Sequence, residues 1–378
     1  MCHTARHQPA AMDDRSVGVM LRSDYLRRNL VAKPVTVVVT SDRYGSETSG
    51  MELESGLLSG FPDLDITLRG EPAESEDDLI RIGQDADALL VSTREAVTRR
   101  VLENIPNVKV ISRYGVGLDN VDLAAAADVG IVVTHYPGYC TSEVADHAMA
   151  LLLAVNRRIV EMDRDLHTGA WTKFGSATGS ILRGPIPPLR QSTLGIVGFG
   201  RIGQAVADRA RPFGLTLLVA DPYVSPDVVE ANGGELMSLD ELLPQVDLLT
   251  LHAPLTPETR GLINAERLAA MKPDASIINT ARGPIIDLDA LAVHLENNQG
   301  ARAALDVVYP EPLASDHALY QMSNVIHTPH AAYYSEQSVI TVRTETFNEA
   351  MAVLQGTLPR TVANMAVLDK VSLNARPA

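Results

Sequence analysis

From Val35 onward the chain alternates short apolar runs with segments whose apolar positions recur at helical spacing. Val35–Thr40, Leu64–Leu68, Ala88–Val91, Val108–Ser112 and Ile131–Thr134 read as buried strands, and Glu76–Ile82, Val97–Asn104 and Val121–Ala127 as the helices between them. Strand and helix in alternation with short connections predict a parallel sheet covered on both faces. Thr141 or Ser142 then caps a longer helix that carries Glu143 in its first turn and runs to about Leu166, ending near Gly169. Its apolar residues (Val144, Met149, Leu151, Leu152, Leu153, Val155) cover more than one face. That breadth predicts burial between domains or subunits.

After Lys173–Ser192, a stretch rich in Gly, Pro and Ser that reads as a long loop, the alternation resumes. Leu194–Val197, Leu215–Ala220, Leu248–Leu251, Ser276–Asn279, Ala303–Leu305 and Val325–His327 read as strands. The helix after the first of them is expected to bury Ile202, Ala205, Val206 and Phe213. Ser238 and Glu241 form a capping box for a later helix. Ser335–Gln355 reads as one helix that returns to the first domain. The pattern therefore predicts an α/β chain of two Rossmann-like domains with parallel sheets. Residues 35–140 plus 333–378 form a discontinuous substrate domain, 141–332 an inserted nucleotide-binding domain, and 1–34 a polar, flexible extension; Met12 or Met20 would serve equally as a start.

Composition narrows the function classes. A chain of 378 residues with 46% apolar and 21% charged residues suits two globular cores. A net charge of −15 opposes a general role on nucleic acid. Cys2 and Cys140 offer neither a disulfide framework nor metal-ligand spacing, which fits a reducing cytoplasm. The most apolar stretch, Ala148–Val155, is too short to span a bilayer.

The most informative segment is Leu194–Gly203, which reads LGIVGFGRIG. Gly198 permits a sharp turn out of a strand, Gly200 permits close approach of a pyrophosphate, and Gly203 permits close packing of the next helix. The N-terminus of that helix favours phosphate. Asp221, 18 residues beyond Gly203, stands where a carboxylate accepts hydrogen bonds from the adenine ribose. Pro222 and Tyr223 provide no arginine for a 2′-phosphate, so NAD is expected rather than NADP. Three further segments lie where strands give way to loops: Asn279–Pro284 with Arg282, Ala304–Pro312 with Asp306 and Glu311, and His327–Tyr333 with His330. A guanidinium can clamp a carboxylate. A histidine paired with a carboxylate can donate a proton near neutrality.

Glycine turn, Asn-Thr-Ala-Arg-Gly, Asp-Val-x-x-x-Glu-Pro and Thr-Pro-His occur in that order. In this the chain resembles the D-isomer-specific 2-hydroxyacid dehydrogenases from about Val35 to Gly356. The resemblance implies an NAD-dependent enzyme that reduces a 2-oxo acid to a D-2-hydroxy acid. Arg282 would bind substrate, Glu311 would pair with the histidine, and His330 would be the acid/base. It places Gly198, Gly200, Arg201, Ile202, Gly203, Asp221, His252, Pro254, Thr280, Ala281 and Ala332 along the cofactor, with Asp306 at the nicotinamide carboxamide. It also makes Arg113–Asn120 the substrate loop, with Arg113, Gly115 and Val116 on the substrate beside Tyr333. His330–Gln337 is similar to the C-terminal binding protein branch, whose corepressors suggest an alternative role as an NAD-sensing dimeric scaffold. That branch carries tryptophan where this chain has Tyr333. Arg94 reads as a solvated cation and His147 as a packing or interfacial residue. A cytoplasmic homodimer without nucleic-acid or membrane partners is expected.

Overall fold

Runs of Val, Leu and Ile too apolar to face water on either side pair in parallel and are sealed by helices on both faces. The computed structural model describes residues 32–44, 50–169 and 186–376. The N-terminal extension up to residue 31 and the expected loop up to residue 185 lie outside the described residues. The chain divides into two compact units.

The first unit gathers the described residues up to Tyr114, then Asp122–His135, and the chain from Thr344 onward. Its strands are β1 (Lys33–Val39), β2 (Leu64–Gly70), β3 (Ala88–Val91), β4 (Val110–Arg113) and β5 (Val132–His135). They form one parallel sheet in the order β2-β1-β3-β4-β5. Val37, Val38, Val39, Leu89, Leu90 and Ile111 are fully buried in it. Ser75, Thr98 and Asp122 each cap the helix that follows with a side-chain oxygen.

The second unit comprises Gly115–Val121 and Tyr136–Arg343. It holds β6 (Thr193–Val197), β7 (Thr216–Ala220), β8 (Gly234–Leu236), β9 (Leu248–Leu251), β10 (Ser276–Asn279), β11 (Arg302–Leu305) and β12 (Val325–His327). Their order is β12-β11-β10-β9-β6-β7-β8, all parallel. The capping box of Ser238 and Glu241 is present. The C-terminal helix spans Glu336–Leu354.

Four expectations need correction. The long helix is two: Thr141–Arg157 and Ile159–His167. Arg158 separates them in the left-handed conformation at φ 57°, uncommon for a residue with a side chain. The turn buries Arg158 and lets Glu161 of the second helix pair with buried Arg302. The apolar breadth of Thr141–Arg157 is accounted for within the unit, because Ala145, Ala148, Met149 and Leu152 share a core with Leu194, Ile196, Phe199, Val206, Ala207 and Ile278. Phe213 is 44% exposed, because the helix of Arg201–Ala210 tightens into a single turn at Arg211–Phe213 before Gly214. Lastly, Gly115–Val121 groups with the nucleotide-binding unit: Asp119 pairs with Arg282, and Val116 packs beside Ala332 and Tyr333. Among the described residues no helix is long and apolar enough to cross a membrane.

Candidate active site

The second unit's sheet is wound outward from β6 through β7 to β8, then returns to place β9 on the other side of β6. At such a reversal the loops leaving two adjacent strands diverge and open a crevice at their carboxyl ends. Here the flanking loops are the glycine turn after β6 and His252–Pro254 after β9. Gly198 has φ 88°, and a Cβ on it would lie 2.5 Å from the Ala253 amide nitrogen. A Cβ on Gly203 would lie 2.2 Å from the Gly198 carbonyl oxygen. Both obstacles are backbone and cannot swing aside. Gly200 differs, for nothing lies within 4 Å of where its Cβ would stand. That is open space in front of the N-terminus of helix Arg201–Ala210, where backbone N–H groups lack intrahelical partners. Asp221 is fixed at the end of β7 by accepting hydrogen bonds from the Phe199 and Tyr223 amides, at 2.7 and 2.8 Å. Each of its oxygens retains a second lone pair for a ribose hydroxyl. Tight glycines at the turn, open space at Gly200 and a held carboxylate together fit a dinucleotide.

His252 makes contacts of 2.9 Å with the Thr250 hydroxyl and 3.5 Å with the Thr280 hydroxyl. Part of its surface is open, but both ring nitrogens sit among protein atoms. This desolvation pushes its pKa down to about 3, so the ring is neutral at pH 7.

Arg282 leaves the end of β10. Its Nε donates to Asp119 Oδ1 at 3.1 Å and its Nη1 to the Ala281 carbonyl at 2.8 Å. Its Nη2 lies against Gly117, where a Cβ would come within 1.7 Å of it. Two strand spacings away, about 10 Å, His330 follows β12. Its Nδ1 lies 3.1 and 3.0 Å from the two carboxylate oxygens of Glu311. An ionised carboxylate only accepts, so Nδ1 carries the proton and Nε2 is the nitrogen left to face a ligand. His330 has φ 53°. Asp306, expected at the nicotinamide, is buried with its carboxylate turned to the Thr328 hydroxyl at 2.6 Å and the Ala331 and Ala332 amides at 2.8 and 3.1 Å. Tyr333 meets the His330 ring edge-on at 6.5 Å between centroids and tilts against Tyr139 at 6.4 Å.

Comparison with known proteins identifies the family. Residues 149–332 match the D-isomer specific 2-hydroxyacid dehydrogenase, NAD binding domain. The chain is 41% identical over 295 residues to a glyoxylate reductase of Thermofilum pendens, covering 78% of this chain and 86% of the relative. The chain belongs to the D-isomer-specific 2-hydroxyacid dehydrogenase family. It is an NAD-dependent oxidoreductase of that class. A D-3-phosphoglycerate dehydrogenase of Methanocaldococcus jannaschii is 39% identical over 300 residues, 79% of this chain but only 56% of that longer protein. Among solved structures, a D-lactate dehydrogenase from Aquifex aeolicus complexed with NAD and lactic acid superimposes with a TM-score of 0.71 at 28% identity, covering 91% of this chain and 100% of the other.

The family's NAD-binding stretch contains every cofactor-side residue expected from the sequence, from Gly198 through Asp221, His252, Pro254, Thr280, Ala281 and Asp306 to Ala332. All the expected substrate-side and catalytic residues lie in the second unit except Arg113. Arg113 is buried in the first unit, where its Nη1 donates to the Tyr114 carbonyl at 2.9 Å. Arg94 is exposed and pairs with Asp42. Asp119 and Thr328 stand in the segments named from the sequence, which assigned neither of them a role of its own. His147, expected to be a packing or interfacial residue, places Nε2 3.1 Å from the Thr328 hydroxyl. The partners of Asp119 and His147 lie 163 and 181 residues away, so no local spacing signals them.

Proposed function

We propose that this enzyme reduces a short 2-oxo acid to the D-2-hydroxy acid, with His330 as the proton donor. NADH, when bound, supplies the hydride that the carbonyl carbon accepts. Arg282, held by Asp119 and the Ala281 carbonyl, binds the substrate carboxylate and orients the carbonyl. His330 gives the Nε2 proton to the forming alkoxide, and Glu311 on Nδ1 stabilises the imidazolium that donates. Gly115 and Val116 contribute backbone at the carboxylate. Asp221 receives the ribose hydroxyls; Gly198, Gly200 and Gly203, with Arg201 and Ile202, frame the pyrophosphate. His252, Pro254, Thr280, Ala281 and Ala332 line the rest of the coenzyme. Tyr333, beside His330, borders the substrate's side chain and favours small or polar groups.

The observation that carries this reading is the Glu311–His330 pair, set on the same sheet end as the dinucleotide crevice. The names of the relatives make glyoxylate the first substrate to try, followed by hydroxypyruvate, phenylpyruvate, oxaloacetate and phosphonopyruvate. NADH oxidation is expected with at least one of them, together with a D-configured product wherever the product is chiral. Tight NADH binding without turnover on any of the five would instead favour the scaffold role of the corepressors. A homodimer is part of the proposal by resemblance alone, and a solution mass of one chain would remove it.

A further inference from the structure

We propose that His147 is a positioning residue for His330, acting at a distance through Thr328 and Asp306. The inference rests on the role given to His330 above. Asp306 holds the backbone at that histidine and at the two residues after it. Its carbonyl accepts the His330 amide at 2.8 Å, and its carboxylate accepts the Ala331 and Ala332 amides at 2.8 and 3.1 Å. His330 sits at φ 53°, a conformation that persists only where the surroundings over-determine it. Asp306 therefore helps fix the backbone from which the imidazole projects, while Glu311 holds the ring itself.

The Thr328 hydroxyl lies 2.6 Å from Asp306 Oδ1 and 3.1 Å from His147 Nε2. A hydroxyl has one proton, and the carboxylate, already an acceptor of two amides, can only accept it. The Thr328 oxygen must then accept from His147, whose Nε2 carries a hydrogen. The chain of donors has one direction: His147 Nε2–H to Thr328 Oγ1–H to Asp306 Oδ1. His147 Nε2 is itself 3.6 Å from Oδ1, so Thr328 is the link between them, and removal of the ring takes away the donor that helps hold the hydroxyl oxygen in place. The ring is placed by helix Thr141–Arg157, whose neighbouring Ala145, Ala148 and Met149 are locked in the core. One proton's position on a threonine thus connects a core helix to the catalytic loop.

The test compares His147→Ala, His147→Gln and Thr328→Val in the full chain. Amide hydrogen exchange of Ala331 and Ala332 is one readout, and kcat and KM with NADH and glyoxylate are the other. His147→Ala is expected to speed exchange at both amides and to lower kcat by about three- to tenfold, with KM and NADH affinity held within about twofold. Glutamine presents an amide donor at the same reach as Nε2, so His147→Gln should restore both. Thr328→Val should match His147→Ala, and the double variant should be no worse than either. Unchanged exchange in His147→Ala, or a His147→Gln variant as impaired as alanine, would overturn the proposal. The exchange readout needs no turnover. It therefore stands even if the assigned reaction fails, while a failed relay leaves the reaction intact.

Discussion

The two sheets are wound by the same rule, yet their carboxyl ends do opposite things. In the five-stranded sheet the reversal falls between β1 and β3, and in the seven-stranded sheet between β6 and β9. Each reversal opens a crevice bounded by backbone donors. In the first unit a side chain of the unit itself fills that place. Buried Glu95 accepts the Ser92 amide on both carboxylate oxygens, at 3.1 and 3.0 Å, together with the hydroxyls of Ser92 and Thr40. In the second unit the corresponding turn is built of glycines, and open space stands before Gly200. One crevice is satisfied internally, and the other is left for an anionic ligand. Winding alone does not assign chemistry, whereas the residues at the crevice do.

The comparison can be broken most severely at the substrate clamp. Replacing Arg282 by alanine should lower kcat/KM for glyoxylate by about 10²–10³-fold, while titration shows NADH affinity nearly unchanged. A smaller effect is expected at the glycine turn. Gly203→Ala forces a Cβ onto the Gly198 carbonyl, and overpacking of about 1–3 kcal/mol should weaken NADH binding by about tenfold to a hundredfold. The control lies in the other unit: Gly60→Ala, where the new Cβ meets nothing within 4 Å, should leave NADH binding unaltered.

Next in size is Glu95→Gln, which turns an amide donor toward groups that now donate to a carboxylate. It should lower stability by about 1–3 kcal/mol, read as a fall in the thermal midpoint, with NADH affinity preserved. Asp221→Asn also turns a donor toward amides that donate to the carboxylate, but Asp221 is only half-buried, so its larger effect should fall on affinity for the coenzyme.

The smallest effect concerns acid. His252 resists protonation in the folded chain down to about pH 3, because its ring is desolvated. The unfolded imidazole takes its proton near 6.5. Between these values the unfolded chain binds more protons, so stability present above pH 6.5 is lost as pH falls toward 3. His294 and His327, also held low by burial, act in the same direction. Denaturation across this range should show a shallower loss in His252→Gln than in the parent.

Much of this architecture was legible because parallel strands buried on both faces are continuous apolar runs bounded by breakers. Ala88–Val91, Leu248–Leu251, Ser276–Asn279 and Val325–His327 are found where the pattern puts them. The edge strand Gly234–Leu236 escaped notice because it is three residues long with an exposed glutamate at its centre. The break at Arg158 is not legible because nothing in its neighbours announces it: the left-handed turn appears only in the fold, where the guanidinium is buried, opposed by the like charge of Arg302 and favoured by Glu161. Within the site, the candidate residues stand in short motifs that carry the family resemblance, while Asp119, Thr328 and His147 meet their partners through pairings that only folding creates.

The reading of the second unit depends most directly on the imidazole at the end of β12. Single-turnover reduction of glyoxylate by enzyme saturated with NADH, compared between parent and His330→Gln, isolates that group. A rate lowered by about 10²–10⁴-fold with unchanged NADH binding is the predicted result. A His330→Gln enzyme that reduces glyoxylate at close to the parent's rate would contradict it.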